Sequence, residues 1–165
     1  MKKGMLVLIA LCFVLFSCWK KDDVKKTDEK VNELKDVQYG GTISVSENEL
    51  MKYFVLKSDA NITVLSLQIK YAKNDESKAN EFTDVNDKIG KYPVIISKFE
   101  KAAIINVMLP NKVFITLSST DKSTEKFQTA DFLKKIIPLF DTEGLEKISG
   151  DMIKGAELEK YFPKL

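Results

Sequence analysis

The chain has 165 residues, 44% of them apolar and 30% charged, which is room for one globular domain with appendages and excludes a multidomain enzyme. Its 26 basic residues are all Lys, since neither Arg nor His occurs; the commonest general base, the commonest metal ligand and the bidentate anion fork are therefore missing. The net charge of +2 is that of Lys2 and Lys3, and the remainder sets 24 Lys against 24 acids, without the basic surplus a nucleic-acid binder uses.

Residues 1–17 read as a signal peptide: Lys2 and Lys3, an apolar run from Gly4 to Phe16, then small Ser17 before Cys18. As a helix, those thirteen apolar residues would cover about 20 Å, well short of the roughly 30 Å core of a bilayer. The tetrapeptide Leu15-Phe16-Ser17-Cys18 resembles the lipobox of bacterial lipoproteins, in which the Cys is diacylated and becomes the mature N-terminus. Phe16 departs from the usual small or β-branched residue and is similar to the looser lipoboxes of spirochaetes. An uncleaved anchor and an ordinary cleaved signal are the competing readings. The resemblance implies lipidation of Cys18, a membrane as partner through that lipid, and a place in the cell envelope, at the outer membrane or cell surface ahead of the inner. Cys12 would leave with the signal, so the mature chain would hold one Cys and no internal disulfide.

Residues 18–38 interleave charges of both signs with scattered Val and Leu, too little apolar surface to offset the entropy of ordering. They read as a tether. A single domain is expected over residues 39–165. Gly40-Gly41 precedes a first strand at Thr42–Val45, and Ser46 with Glu49 has the spacing of a capping box opening a short helix or turn. From Asn61 to Tyr71 the alternation is clearest, with Leu65, Leu67, Ile69 and Tyr71 on one face and Ser66, Gln68 and Lys70 on the other. The stretch from Ala72 to Lys91 is long for a connection, and Ala79, Phe82 and Val85 suggest a helix within it.

Strands follow at Tyr92–Phe99, Ala102–Leu109 and Val113–Leu117, the last two joined by a turn centred on Pro110-Asn111. Phe132, Leu133, Ile136, Ile137 and Phe140 then lie at helical spacing behind Thr129 as N-cap, with Pro138 breaking the helix near Ile137 and a second short helix from Thr142 to Ile148. The tail, with Ile153, Leu158, Tyr161 and Phe162, docks as a last helical turn or two. These elements predict an α+β fold: an antiparallel sheet of about five strands with C-terminal helices packed on one face, behind a signal peptide and charged tether. Their order and apolar pattern from Tyr39 to Ser149 resemble small bacterial, spirochaete-like cell-envelope lipoproteins of unassigned function.

Motifs for chemistry are sparse. Ser119 with Lys122 and Ser123 with Lys126 have the Ser-x-x-Lys spacing of penicillin-recognising hydrolases, but the accompanying Lys-Thr-Gly is absent and chance accounts for both pairs. Asp84, Asn86 and Asp87 open like a calcium loop, yet Lys88 and Ile95 stand at ligand positions, so no metal and no cofactor is expected. Phe114, Phe132, Phe140, Tyr92 and Phe99 are assigned to the core. The expected function is a non-enzymatic, lipid-anchored binding or accessory module for an unknown protein or small molecule, with an interaction subunit of an envelope complex, or a hydrolase, as the alternatives. Its candidate binding segment is the long connection carrying Glu81, Asp84 and Asp87.

Overall fold

The computed structural model describes residues 34–73, 82–122, 124–149 and 153–165, and a compact unit runs from Asp36 to Leu165. Cys18, the rest of residues 1–33, and Glu81 lie outside the described residues. Seven strands form one sheet: β1 (Val37–Ser46), β2 (Glu49–Leu56), β3 (Thr63–Tyr71), β4 (Asp87–Ile89), β5 (Tyr92–Phe99), β6 (Ala102–Met108) and β7 (Val113–Ser119). Their order is β1-β2-β3-β7-β6-β5-β4, with every neighbouring pair antiparallel. Two meanders, β1 to β3 and β4 to β7, thus meet where β7 pairs with β3. The α+β class holds, while the strand count is seven rather than five.

The alternation that marks β3 in the sequence generates the core. Leu65, Leu67, Ile69 and Tyr71 stand opposite Ser119, Leu117, Ile115 and Val113 of β7, and Leu117 and Ile115 in turn oppose Ile105 and Val107 of β6. All are buried. Helix α1 (Ala130–Ile136) covers this face at β6 and β7, and a 3-10 segment, Gly155–Tyr161, covers it at β2 and β1. Ser66, Gln68, Thr116 and Ser118, on the opposite face, are only partly buried. The Thr129 hydroxyl accepts the Phe132 amide at 3.1 Å, capping α1. At Pro138 the chain tightens into a 3-10 turn, Ile137–Leu139, and Asp141 caps the short α2 (Thr142–Glu146) through Gly144 N–H at 2.8 Å.

Two strands differ from expectation for identifiable reasons. Ser46 and Glu49 do interact, Oγ to Oε2 at 3.3 Å, and Ser46 also bonds Asn48 at 2.9 Å. This local bonding closes the β1–β2 hairpin instead of starting a helix, because Leu50 and Phe54 are drawn into the sheet opposite Ile69 and Leu65. Of the helix expected between Ala72 and Lys91, the part around Ala79 lies outside the described residues; from Phe82 on, Phe82 lies against the Phe114 ring at 5.9 Å, Val85 is exposed, and Asp87–Ile89 forms β4. The Asn86 side chain extends that strand, donating to Ile96 C=O at 3.0 Å and accepting Ile96 N–H at 2.9 Å.

Phe99 is not core. It ends β5 on the face opposite α1 and is 58% exposed, whereas Phe114, Phe132, Phe140 and Tyr92 are buried as expected. Ile89 pairs with Tyr92 across a two-residue loop whose first position, Gly90, has φ 60°. A Cβ at Gly90 would meet nothing within 4 Å, so Gly90→Ala imposes backbone strain alone. The expected loss is about 1 kcal/mol, read as a lower urea midpoint with unchanged slope.

Candidate functional site

A lone cation on an apolar face marks the site. In β2 the inward-pointing series is Leu50, Lys52, Phe54; the first and last are buried core, and the Lys52 side chain is 14% exposed. Long ammonium side chains are rarely so enclosed without compensation. Here the compensation is an ion pair with Glu159 of the Gly155–Tyr161 segment and the faces of two aromatic rings, Phe162 at 5.2 Å and Tyr39 at 5.8 Å from Nζ.

A bulge brings Tyr39 into this group. Tyr39 opposes Phe54 and Gly41 opposes Tyr53, leaving Gly40 as the extra residue of β1. Without it, strict alternation would place Tyr39 on the face of Tyr53; with it, Tyr39 turns to the covered face and meets Phe54 edge-on at 6.1 Å. The bulged position is Gly because a Cβ there would come within 2.5 Å of the Tyr53 ring. The Tyr39 hydroxyl bonds Thr42 Oγ1 at 2.5 Å, fixing the ring from β1.

The chain end supplies the opposite wall. Leu158 and Phe162 are buried, the latter 5.9 Å from the Phe140 ring, and they hold the tail across the end of β2. Between the tail and the β1–β2 hairpin lies an open cleft of about 380 Å³, lined by Tyr39, Lys52, Phe54 and the stretch from Glu159 to Leu165, Tyr161 excepted. That volume falls within the range of about 300–1,000 Å³ usual for small-molecule sites. Tyr39 and Leu165 at its mouth are 55% and 41% exposed. Chemically, the cleft offers aromatic and aliphatic walls around one enclosed cation, with Lys160 and Lys164 at its rim.

No protein-family model, curated protein or solved structure matches this chain.

Among the described residues singled out in the long connection, Asp84 and Asp87 do not line this cleft. Glu81 lies outside the described residues, Asp84 is exposed, and Asp87 accepts Lys134 of α1 at 2.6 Å. The Lys134 hydrogen bond, helped by Lys88 N–H, holds the Asp87 carboxyl below the usual carboxylate range, and the same bond raises Lys134. A parallel pair joins Lys91 to Glu146 of α2 at 2.7 Å: Lys91 lowers Glu146, with the Tyr92 hydroxyl adding to the effect, and Glu146 raises Lys91. Both pairs tie the β4–β5 hairpin to the helical layer. Ser119, of the Ser-x-x-Lys spacing, is buried with its Oγ accepting Ala103 N–H at 2.8 Å, while Ser123 lies outside the described residues.

The two ion pairs predict a stability profile with two limbs. Lowered acids stabilise the fold above the ordinary carboxylate value of about 4, and this contribution is lost as pH falls through their depressed values. Raised lysines stabilise below the ordinary lysine value of about 10.4, and this is lost as pH rises through their elevated values. Asp87→Asn with Glu146→Gln should therefore flatten the acid limb of Tm against pH and leave the pH 6–9 plateau lower but level, checked by calorimetry across the range. An acid limb as steep as wild type would place its origin in other groups.

The cleft went unread in the sequence because β2 did. Once Glu49–Leu56 is a strand, the signal is plain: Leu50, Lys52 and Phe54 share one face at a spacing of two, and the middle one is charged.

Proposed function

We propose that this chain is a non-enzymatic binding module of the bacterial cell envelope, held on a membrane through lipidated Cys18, with the Lys52 cleft as its ligand site. The observation that carries the reading is an enclosed ammonium group facing an open, aromatic-walled cleft. A cation kept there costs stability unless it is paired, and an apolar strand face would be simpler to pack with another aliphatic residue, so retention of Lys52 is more naturally explained by recognition than by folding.

The anchor half of the proposal rests on the Leu15-Phe16-Ser17-Cys18 resemblance and on the charged stretch behind it. No helix among the described residues is long and apolar enough to cross a membrane. A lipid-held domain on a charged tether would meet ligands and partners near the bilayer surface. An interaction subunit of an envelope complex remains the second reading, favoured by β1, a ten-residue edge strand without a single charge and with Ile43 and Val45 exposed.

The test is an NMR titration of the full-length protein in nanodiscs with water-soluble amphipathic probes: octanoate, 1-octanol and indole. Saturable shifts centred on Tyr39, Phe54 and Phe162 are the expected result. Shifts confined to other parts of the domain, or none with any probe, would overturn the assignment of the site.

A further inference from the structure

We infer that the cleft selects amphipathic anions, taking the acidic head of a ligand onto Lys52 in place of Glu159 and its apolar body against Tyr39, Phe54 and Phe162. The inference rests on the cleft being the binding site, as proposed above, and adds the chemical class of the ligand.

Three features of the geometry lead to it. First, the two partners of the Lys52–Glu159 pair differ in burial: the Lys52 side chain is 14% exposed and the Glu159 side chain 52%. The cation is fixed in the wall, and its counter-ion is half in water. An enclosed ammonium requires an anion, but the carboxylate that serves can be exchanged at low cost when it can return to solvent.

Second, the charges around the cleft are unbalanced. Lys52, Lys160 and Lys164 line it, against Glu159 as the one acidic side chain of the lining. Once displaced, Glu159 can return to solvent, and the side chains of the lining keep their excess of lysine. A cationic ligand would meet repulsion from the same three groups, and a neutral one would leave the existing pair in place and gain only apolar contact.

Third, the apolar walls set the body of the ligand. Tyr39 and Phe162 bracket the ammonium from two sides, while Phe54 forms the buried floor between them. An acid head at Lys52 therefore directs its attached chain or ring along aromatic surface toward the mouth, where Leu165 is partly exposed. A simple inorganic anion would satisfy the head position and leave the walls unused.

The experiment compares octanoate, 1-octanol and octyltrimethylammonium, which share a tail and differ in head charge, on wild type, Lys52→Met and Glu159→Gln, each as full-length protein in nanodiscs. Binding is followed by the Tyr39 and Phe162 ring resonances. In wild type, octanoate should bind at least tenfold more tightly than 1-octanol, and the cation should not bind. Lys52→Met should remove that preference while leaving octanol bound. Glu159→Gln, a change at a half-exposed side chain, should tighten octanoate by roughly two- to fivefold, because the competing carboxylate is gone, and leave octanol unchanged. Equal affinity for octanoate and octanol, or octanoate binding indifferent to Lys52→Met, would overturn the anion selectivity with the site itself intact. An unchanged octanoate affinity in Glu159→Gln would overturn the displacement. Absence of all three ligands from the cleft would remove both the inference and the site on which it rests.

Discussion

Leu117→Ala should lower the stability of the domain by about 3–5 kcal/mol, the largest effect expected of any single truncation here. Leu117 is fully buried in β7, with Leu67 of β3 on one side and Ile105 of β6 on the other. The pairing with Leu67 joins the two meanders, so the residue packs at the seam through which one half of the sheet is held to the other. Removing its isobutyl group forfeits transfer free energy and leaves a cavity that neighbouring strands cannot close without breaking register. A domain of this size has about 5–15 kcal/mol in total, so the urea midpoint should fall by about a fifth or more. Ile104→Ala is the control: it lies on the other face, across from Ser118, partly exposed, and should cost no more than about 1 kcal/mol. Equal losses at the two positions would mean that the second face of the sheet is also packed in solution.

That seam was visible in the sequence as alternation, which explains where sequence reasoning succeeds and where it stops. Strands β3, β6 and β7 have one face buried along its length, and β5 has one buried at Tyr92 and Val94, so each repeats apolar residues at a period of two. Thr129 and Pro138 act within a few residues of themselves, so the helix start and the break are equally legible. The elements that escaped depend on distant partners. Ser46 and Glu49 form the same side-chain contact in a capping box and in a hairpin turn, and only the pairing of Leu50 and Phe54 with β3 decides between them. Strand β4 is three residues long, below the length at which periodicity exists, and is extended by Asn86 through both its side chain and its backbone N–H to Val94.

The site was less legible than the fold. Its parts come from β1, β2 and the tail, about 120 residues apart in sequence, and one of them is placed by a bulge whose only trace is a Gly-Gly pair. Acidic residues on a long connection drew the first attention instead. Asp87 proves to be bound to Lys134, and Asn86 to Ile96, so two of the polar groups there are engaged in holding the edge of the sheet. Charge on a loop is commonplace; a lysine between Leu50 and Phe54 on a buried face is not, and it carries more information once the strand is recognised.

Replacing Cys18 by serine should abolish incorporation of a clickable fatty acid and release the cleaved protein from the washed membrane fraction, any uncleaved precursor staying behind through its apolar segment. The expectation follows from the energetics of anchoring. One acyl chain binds a bilayer with a constant of only about 10⁴ per molar, whereas two chains, at roughly 0.8 kcal/mol per buried CH₂, hold it for practical purposes. Nothing behind Cys18 offers a substitute. Lys20, Lys21, Lys25 and Lys26 are interleaved with Asp22, Asp23, Asp28 and Glu29, so the segment lacks the net basic charge by which a polybasic patch grips anionic lipid. Cys12 is the one other cysteine of the chain, and it follows the bulky Leu11 inside the apolar run, where cleavage would halve the hydrophobic segment that a signal peptide needs. The variant therefore has no second thiol in a position to be acylated. Fatty-acid labelling that survives Cys18→Ser would refute lipidation at this residue; loss of labelling with full retention in the membrane would instead point to an uncleaved apolar segment as the anchor, and the two outcomes are separated by the mass of the mature chain.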